Sequence, residues 1–406
     1  MNPTERVGCG MSHHQPHNDS ERRGGTLKGL GWGHTRAMGP LTVTAQVFAD
    51  LRPGFRLNWD ARSLWAFGEA PPDEFTDYDL VVLDHPMIGL AAEHGLLLPL
   101  DDCISAEWLA AHLAQGVGGS SATYVHNGHQ WAVAIDAACT VAAARGDLLV
   151  EANLERPRAW NDVLRLARET GRVAVPLAQV DALSLFLTLC ANQGDAPLQA
   201  DRGCVVSSDI GLLALEQLEH LLSVVDPRCL DMNPIAVLNW MSSTDDILYC
   251  PHAYGYSNYS RNGYASRILT FHDLPGPGEA PHRGAVLGGA GLAITSACER
   301  RTEALDYLRW VAGETCQQTT YVFAGGQPAN TAAWEDATAN AITGNFFTNT
   351  RATLEAAYIR PRHYGMPSFQ VGAGEAIRRF LKKQGSAAET LSRLDTLFRA
   401  SLLSTA

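Results

Sequence analysis

The chain is short of positive charge: 31 lysines and arginines stand against 43 aspartates and glutamates, a formal net charge of −12. Nucleic acid and anionic membrane surfaces both need a basic face, so neither is an expected partner. No run of 18 apolar residues occurs, which excludes a spanning helix by the usual criterion. The nine cysteines (Cys9, Cys103, Cys139, Cys190, Cys204, Cys229, Cys250, Cys298 and Cys316) contain no CxxC pair and no zinc-ligand spacing. No metal and no cofactor is therefore expected. The odd number leaves at least one thiol unpaired, and scattered thiols of this kind read as buried structural side chains that fit a reducing compartment better than an oxidising one. Catalytic signatures are missing too: there is no GxSxG, HExxH or P-loop, and the glycines around Gly288 do not spell GxGxxG.

What is present is material for a core. Hydrophobic residues make up 46% and charged residues 18%, so disorder is excluded for most of the chain, and 406 residues allow two or three domains. Residues 1–25 are the exception: polar and rich in His, Asn and Gly, they read as a disordered tail. A secretory signal needs a basic start and roughly 7–15 apolar residues. Arg22-Arg23 is followed by Gly24-Gly25-Thr26-Leu27-Lys28 instead, and Cys9 has no apolar segment before it. His13, His14 and His17 read as part of a solvated tail. So read, the chain made from Met1 stays in the cytoplasm.

The body alternates strands and helices. Helical spacing predicts a helix over Leu41–Leu51, stopped by Pro53-Gly54, and strands over Phe55–Trp59 and Tyr78–Leu83. The continuous run YDLVVL suits a strand buried on both faces. A short helix over Pro86–His94 and a strand over Gln130–Ile135 follow. The middle repeats the logic: a helix from Trp160 ended by Gly171, a strand over Val173–Leu177, a helix Ala182–Ala191 capped by Asp181, and a longer helix from Ser208 or Asp209. Then come a strand Asp246–Cys250, a Pro/Gly-rich connection Leu274–Arg283, a glycine-rich strand region Gly284–Thr295, and helices Glu299–Ala312, Gly374–Lys383 and Ala387–Leu403. Such alternation implies an α/β protein with largely parallel sheets, in which ligands sit beyond the carboxyl ends of strands.

Those ends carry the notable residues. The short, glycine-punctuated apolar run Leu27–Trp32, read as the first strand, leads into Trp32, His34 and Arg36, the strand Phe55–Trp59 into Asp60 and Arg62, the strand Tyr78–Leu83 into Asp84 and His85, and the Gln130 strand into Asp136. The Asp246 strand opens into Tyr254, Tyr256 and Tyr259, and the Gly284 region contains Gly289, where a ligand could approach the backbone closely. Each of these has a plainer reading, as a cap, turn former or packing ring. Together, carboxylates, arginines and aromatic rings are the parts of a sugar-type site, because charged groups bond hydroxyls while ring faces stack on the C–H side of a pyranose. Arg36, Arg62, His34 and His85 add more positive charge than a neutral sugar needs, which points to a polar and anionic solute unless the arginines pair with Asp60 and Asp84.

Several stretches resemble the extracellular solute-binding proteins of ABC transporters, family 1, the sugar-binding kind. They are Tyr78–Asp84 (YDLVVLD) followed by Gly95–Asp101 (GLLLPLD), Gly128–Asp136 (GHQWAVAID), Arg156–Asp162 (RPRAWND), Leu287–Ile294 (LGGAGLAI), the helix around Ala304–Leu308, and Gly325–Pro328 (GGQP). They fall in the family's order over residues 26–340. The resemblance implies a two-lobed, periplasmic-binding-protein-like fold of type II. A tail at 1–25 would precede lobe 1 (26–136 plus 284–335) and lobe 2 (137–283 plus 336–406), with a ligand cleft between the lobes. It implies non-catalytic capture of a sugar, sugar acid or polyol, a permease partner, a monomer and a periplasmic location, with the cytoplasm as the alternative. The expected ligand-binding residues are Trp32, His34, Arg36, Asp60, Arg62, Asp84, His85, Asp136 and Gly289, with Tyr254, Tyr256 and Tyr259 from the second lobe. Two other readings stay open: a cytoplasmic sugar sensor of the same fold, and a carbohydrate-active enzyme using two of Asp60, Asp84 and Asp136.

Overall fold

The computed structural model describes residues 25–276 and 284–404. All but the last residue of the expected tail, with Cys9, His13, His14 and His17, lies outside them, and so does most of the Leu274–Arg283 connection.

Nine strands form among the described residues: β1 (Leu27–Trp32), β2 (Leu57–Arg62), β3 (Leu80–Leu83), β4 (Val125–His126), β5 (His129–Gln130), β6 (Val133–Ala144), β7 (Tyr249–Tyr254), β8 (Thr270–His272) and β9 (Leu287–Ile294). β4 and β5 make a hairpin closed by Asn127-Gly128, both at positive φ, the preferred chemistry for a two-residue turn. The other seven share one sheet in the order β2-β1-β3-β9-β6-β7, with β8 also on β6. Only the β1–β2 and β1–β3 pairs are parallel; all the others are antiparallel. The largely parallel sheet expected from strand–helix alternation is thus corrected to a mixed one. Alternation reports crossovers near each other in the chain, and it is blind to β9, which returns from far downstream and inserts beside β3 running the other way.

β3 is buried on both faces, as its unbroken apolar run requires. Leu80 and Val82 join one core with Leu27, Leu41, Phe48 and Tyr307, while Val81 and Leu83 join a second, larger core. β6 spans the junction of the two halves of the sheet. All twelve of its residues are buried; Val133–Cys139 pair with β9, and Thr140–Ala144 pair with β7 and β8. The charge at Asp136 suggests a strand end in sequence, yet the strand runs through it. The register slips between Ala134 and Asp136, and a bulge of this kind re-aims a side chain.

Two helices start well before their apolar periodicity shows. The first covers Thr35–Leu51 with Pro40 inside it, and the proline masks the opening turn that holds Arg36. The second covers Met366–Leu381, with Pro367 in its first turn, where a missing N–H costs nothing. The helix Trp160–Thr170 is fixed by Asp162, whose carboxylate accepts the Ala159 N–H at 3.2 Å, and by Gly171 at φ +64°. Val173–Leu177 is not a strand; Val173 alone bridges to Tyr249. Asp181 is not a cap but lies inside the helix Val180–Asn192, whose cap is Gln179. The eight described cysteines are all unpaired, and six of them are buried. No described helix is long and apolar enough to cross a membrane.

Candidate functional site

Where β6 passes Asp136 and β9 passes Gly288-Gly289, a cleft of about 220 Å³ opens. A single water needs roughly 10–15 Å³ of such space, so the cleft takes a small organic molecule. Of the expected residues, Trp32, Arg36, Asp84, Asp136, Tyr254, Tyr256 and Gly289 line it.

The other five stand elsewhere. His34 caps the helix Thr35–Leu51, its Nδ1 accepting the Arg36 N–H at 3.0 Å while Nε2 lies 3.2 Å from the Tyr264 hydroxyl. Asp60 is on the surface, accepting the Tyr78 hydroxyl at 3.1 Å. Arg62 is buried over the rings of Phe75 and Phe67 and donates to the Val82 carbonyl at 2.9 Å, with Glu74 at 3.4 Å. His85 is fully buried, and burial lowers its pKa to about 4. Tyr259 donates to Asn239 at 2.7 Å and packs edge-on against Tyr264. Alternate residues of a strand point to opposite faces, so two residues on the same strand end need not share a cavity.

Two buried ion pairs form the floor. The Arg36 Nε donates to Asp136 Oδ2 at 2.9 Å and its Nη2 to Asp136 Oδ1, a two-point fork. Its Nη1 reaches the Gly255 carbonyl at 2.9 Å, and the guanidinium lies 4.9 Å from the Tyr256 ring centre. Burial works against this charge, but the Asp136 carboxylate outweighs it and holds Arg36 above its ordinary pKa. In the second pair Arg360 Nη2 donates to Asp84 Oδ2 at 2.8 Å and Nη1 to Gln370 at 2.7 Å. Burial opposes ionisation of Asp84, yet Arg360 and then His85 overcome it and hold its carboxyl well below the usual range. The expected alternative pairing of the arginines with Asp60 and Asp84 is replaced by Asp136 and Glu74 as partners. The cations that pointed to an anionic solute are therefore engaged within the protein.

The glycines of β9 serve packing as well as access. A Cβ on Gly289, at φ +119°, would lie 2.4 Å from the Asp136 carbonyl, and one on Gly288 would meet the Tyr254 ring at 2.6 Å. The Tyr254 hydroxyl is buried without a hydrogen bond of ordinary geometry, with the Ser184 side chain beside it.

Other lining residues escaped the sequence reading. The short helix Leu64–Gly68, capped by Ser63, brings Trp65, Phe67 and Glu69 to one wall. Trp65 is 52% exposed, and Phe67 stacks on Trp32 at 4.7 Å. Ser63 ahead of Leu-Trp-Ala-Phe was the signal available for it. The opposite wall comes from 178–181 and 231–234. There Gln179 has φ +36° and ψ −111°, a conformation that L-residues rarely hold and that clusters at ligand sites. Arg360 had no signal, being far along the chain from Asp84, and Gln370 enters only as the partner of Arg360. The lining carries two arginines against Glu69, Asp84, Asp136, Asp181 and Asp231.

No family model and no curated protein matches the chain. Many solved structures do. Maltose-bound MalE3 of T. maritima superposes with a TM-score of 0.77 at 16% identity, over 92% of this chain and 99% of that one. A solute-binding protein of an ABC transporter from Thermotoga lettingae TMO, bound with alpha-D-tagatose, gives 0.80 at 15% identity, over 93% and 99%. One from Agrobacterium radiobacter K84, in complex with ribitol, gives 0.77 at 16%, again over 93% and 99%. At such identity the likeness is one of architecture: the chain has the two-lobed α/β fold of the sugar- and polyol-binding proteins of ABC transporters.

Proposed function

We propose that this chain is a non-catalytic solute-binding protein that captures a sugar or polyol between its lobes and delivers it to an ABC-transporter permease. One observation carries the reading: a cleft at the junction of the two halves is walled by Trp32, Trp65 and Tyr256 and floored by hydrogen-bonding charged groups. Ring faces supply the apolar contact and fixed polar groups the orientation that a polyhydroxylated ligand needs. The structural neighbours that hold maltose, tagatose and ribitol support the same class. The lobes divide at 26–136 plus 284–335 and 137–283 plus 336–406, with β6 and β9 as crossing strands. On this reading the protein acts as a monomer on the periplasmic side of the membrane. Absence of turnover is supported at Asp84 and Asp136, two of the three aspartates that the sequence offers as an acid–base pair, each being tied to a guanidinium.

A thermal-shift screen over sugars, sugar acids and polyols tests this. A ligand at a hundredfold excess over its Kd stabilises by about 2.7 kcal/mol, and calorimetry should then return one site per chain. Release of product from a stabilising sugar, abolished by Asp84→Asn or Asp136→Asn, overturns the reading.

A further inference from the structure

Two carboxylates of the cleft have no cation. Asp181 is 8% exposed and lines the cavity from the first turn of the helix Val180–Asn192. Its carboxylate has no hydrogen bond and no ion pair among the described residues; its one charged influence is Glu69. Glu69 comes from the other wall, beyond the helix Leu64–Gly68, and its Oε2 is buried without a partner. The remaining buried carboxylates of the cleft, Asp84 and Asp136, each hold an arginine, and Asp231 at the rim has Arg378 at 2.6 Å. Burial, and for Asp181 the neighbouring Glu69, pushes both unpaired carboxyls above their ordinary range.

A buried carboxylate without a partner is costly and is kept only where something compensates it. The backbone here is itself held in an unfavourable shape. Gln179, two residues before Asp181, has φ +36°, and it is clamped by the helix Met366–Leu381, where a Cβ on Gly374 would lie 2.6 Å from its carbonyl. Trp65 and Tyr256 border the same space, and ring faces attract cations as well as C–H bonds. We propose that the solute is an amine-bearing sugar or aminopolyol whose ammonium group sits between Glu69 and Asp181. This rests on the reading of the cleft as a solute site and narrows its ligand class.

The test uses the full chain and matched probes: D-glucosamine against D-glucose, D-galactosamine against D-galactose, and D-glucamine against D-sorbitol, with calcium alone as a control. Affinities are measured by calorimetry at pH 7. In at least one pair the amine should bind about tenfold or more tighter than its neutral partner, as a charged hydrogen bond against a neutral one implies. Asp181→Asn and Glu69→Gln should each cut the amine's affinity at least about tenfold and cost the neutral partner clearly less. Both variants should fold, because neither carboxylate holds a cation and Glu69 meets only the Trp65 side chain; the unliganded melting midpoint of Asp181→Asn should equal or exceed the wild type's. If neutral sugars bind and amines gain nothing, or if the variants weaken both equally, the ammonium assignment falls while the solute-binding reading stands. It falls equally if none of the three amines binds, or if calcium stabilises the protein and they do not. If the wider sugar and polyol screen is silent as well, the solute-binding reading falls with it.

Discussion

Arg36 shows how much one side chain can organise. It leaves the first turn of a helix, forks onto Asp136, reaches the Gly255 carbonyl and lies over Tyr256. Arg36→Ala would leave Asp136 buried and uncompensated, and removal of one partner of a buried pair costs about 3–5 kcal/mol. Urea unfolding should show a loss of that order, and Arg36→Met with Asp136→Leu should recover most of it, because the pair itself contributes far less than the orphaned charge costs. A single-variant loss below about 1 kcal/mol would contradict the arrangement. Arg36, Asp136 and Asp84 were legible in sequence because they follow apolar strand runs. What sequence could not give was their partners. Asp84 meets Arg360 across 276 positions, and no local pattern reports a contact that long. Nor could it show that Asp60 turns to the surface and Arg62 into the packing around Phe67 and Phe75, so that neither lines the cleft.

Among the elements, the clearest patterns were the easiest to read. The helix Ala387–Leu403 has the bounds its periodicity predicts, with Ser386 and Glu389 exchanging hydrogen bonds at its start. The helix Met366–Leu381 did not, since Pro367 and the glycines Gly372 and Gly374 imitate a loop. Those two glycines have different reasons to be there. A methyl at Gly374 would strike the Gln179 carbonyl at 2.6 Å, whereas one at Gly372 would touch only the Leu397 side chain at 3.3 Å. Gly374→Ala should therefore lower stability by about 1–3 kcal/mol and weaken solute binding, because it pushes on the start of the helix that carries Asp181. Gly372→Ala should be neutral or stabilising by up to about 1 kcal/mol, the ordinary helical gain over glycine. Equal melting midpoints for the two variants would show that Gln179 is not clamped.

For the whole molecule, the buried histidines set the response to acid. Burial lowers His85 and His112 to about 4 and His252 to about 3. His112 accepts the Ala134 N–H at 3.2 Å, and His252 lies 3.1 Å from the Thr188 hydroxyl, so both are built in as neutral rings. In the unfolded chain they take up protons near pH 6.5. Their contribution is thus complete above about pH 6.5 and is lost as the pH falls towards 4, on the order of 1.4 kcal/mol per pH unit for each ring. Asp181 works in the opposite sense: its raised folded pKa favours the folded state at low pH and costs stability as the pH rises above about 4. Urea midpoints at pH 7, 6 and 5 should fall steadily, and more steeply in Asp181→Asn; a flat series would mean that the histidines are not held neutral.

The position of β9 has a further consequence, for the order in which the chain can fold as it is made. β9 is the strand between β3 and β6, so Leu83 waits for Gly291, about two hundred residues downstream. Until that strand leaves the ribosome the sheet is in two pieces, β2-β1-β3 and β6-β7-β8, each with a bare edge. At roughly 5–20 residues per second the wait is about 10–40 s. Open strand edges left that long invite pairing with the wrong chain, so a nascent chain of this topology depends on being kept apart from its neighbours until its last crossing strand arrives.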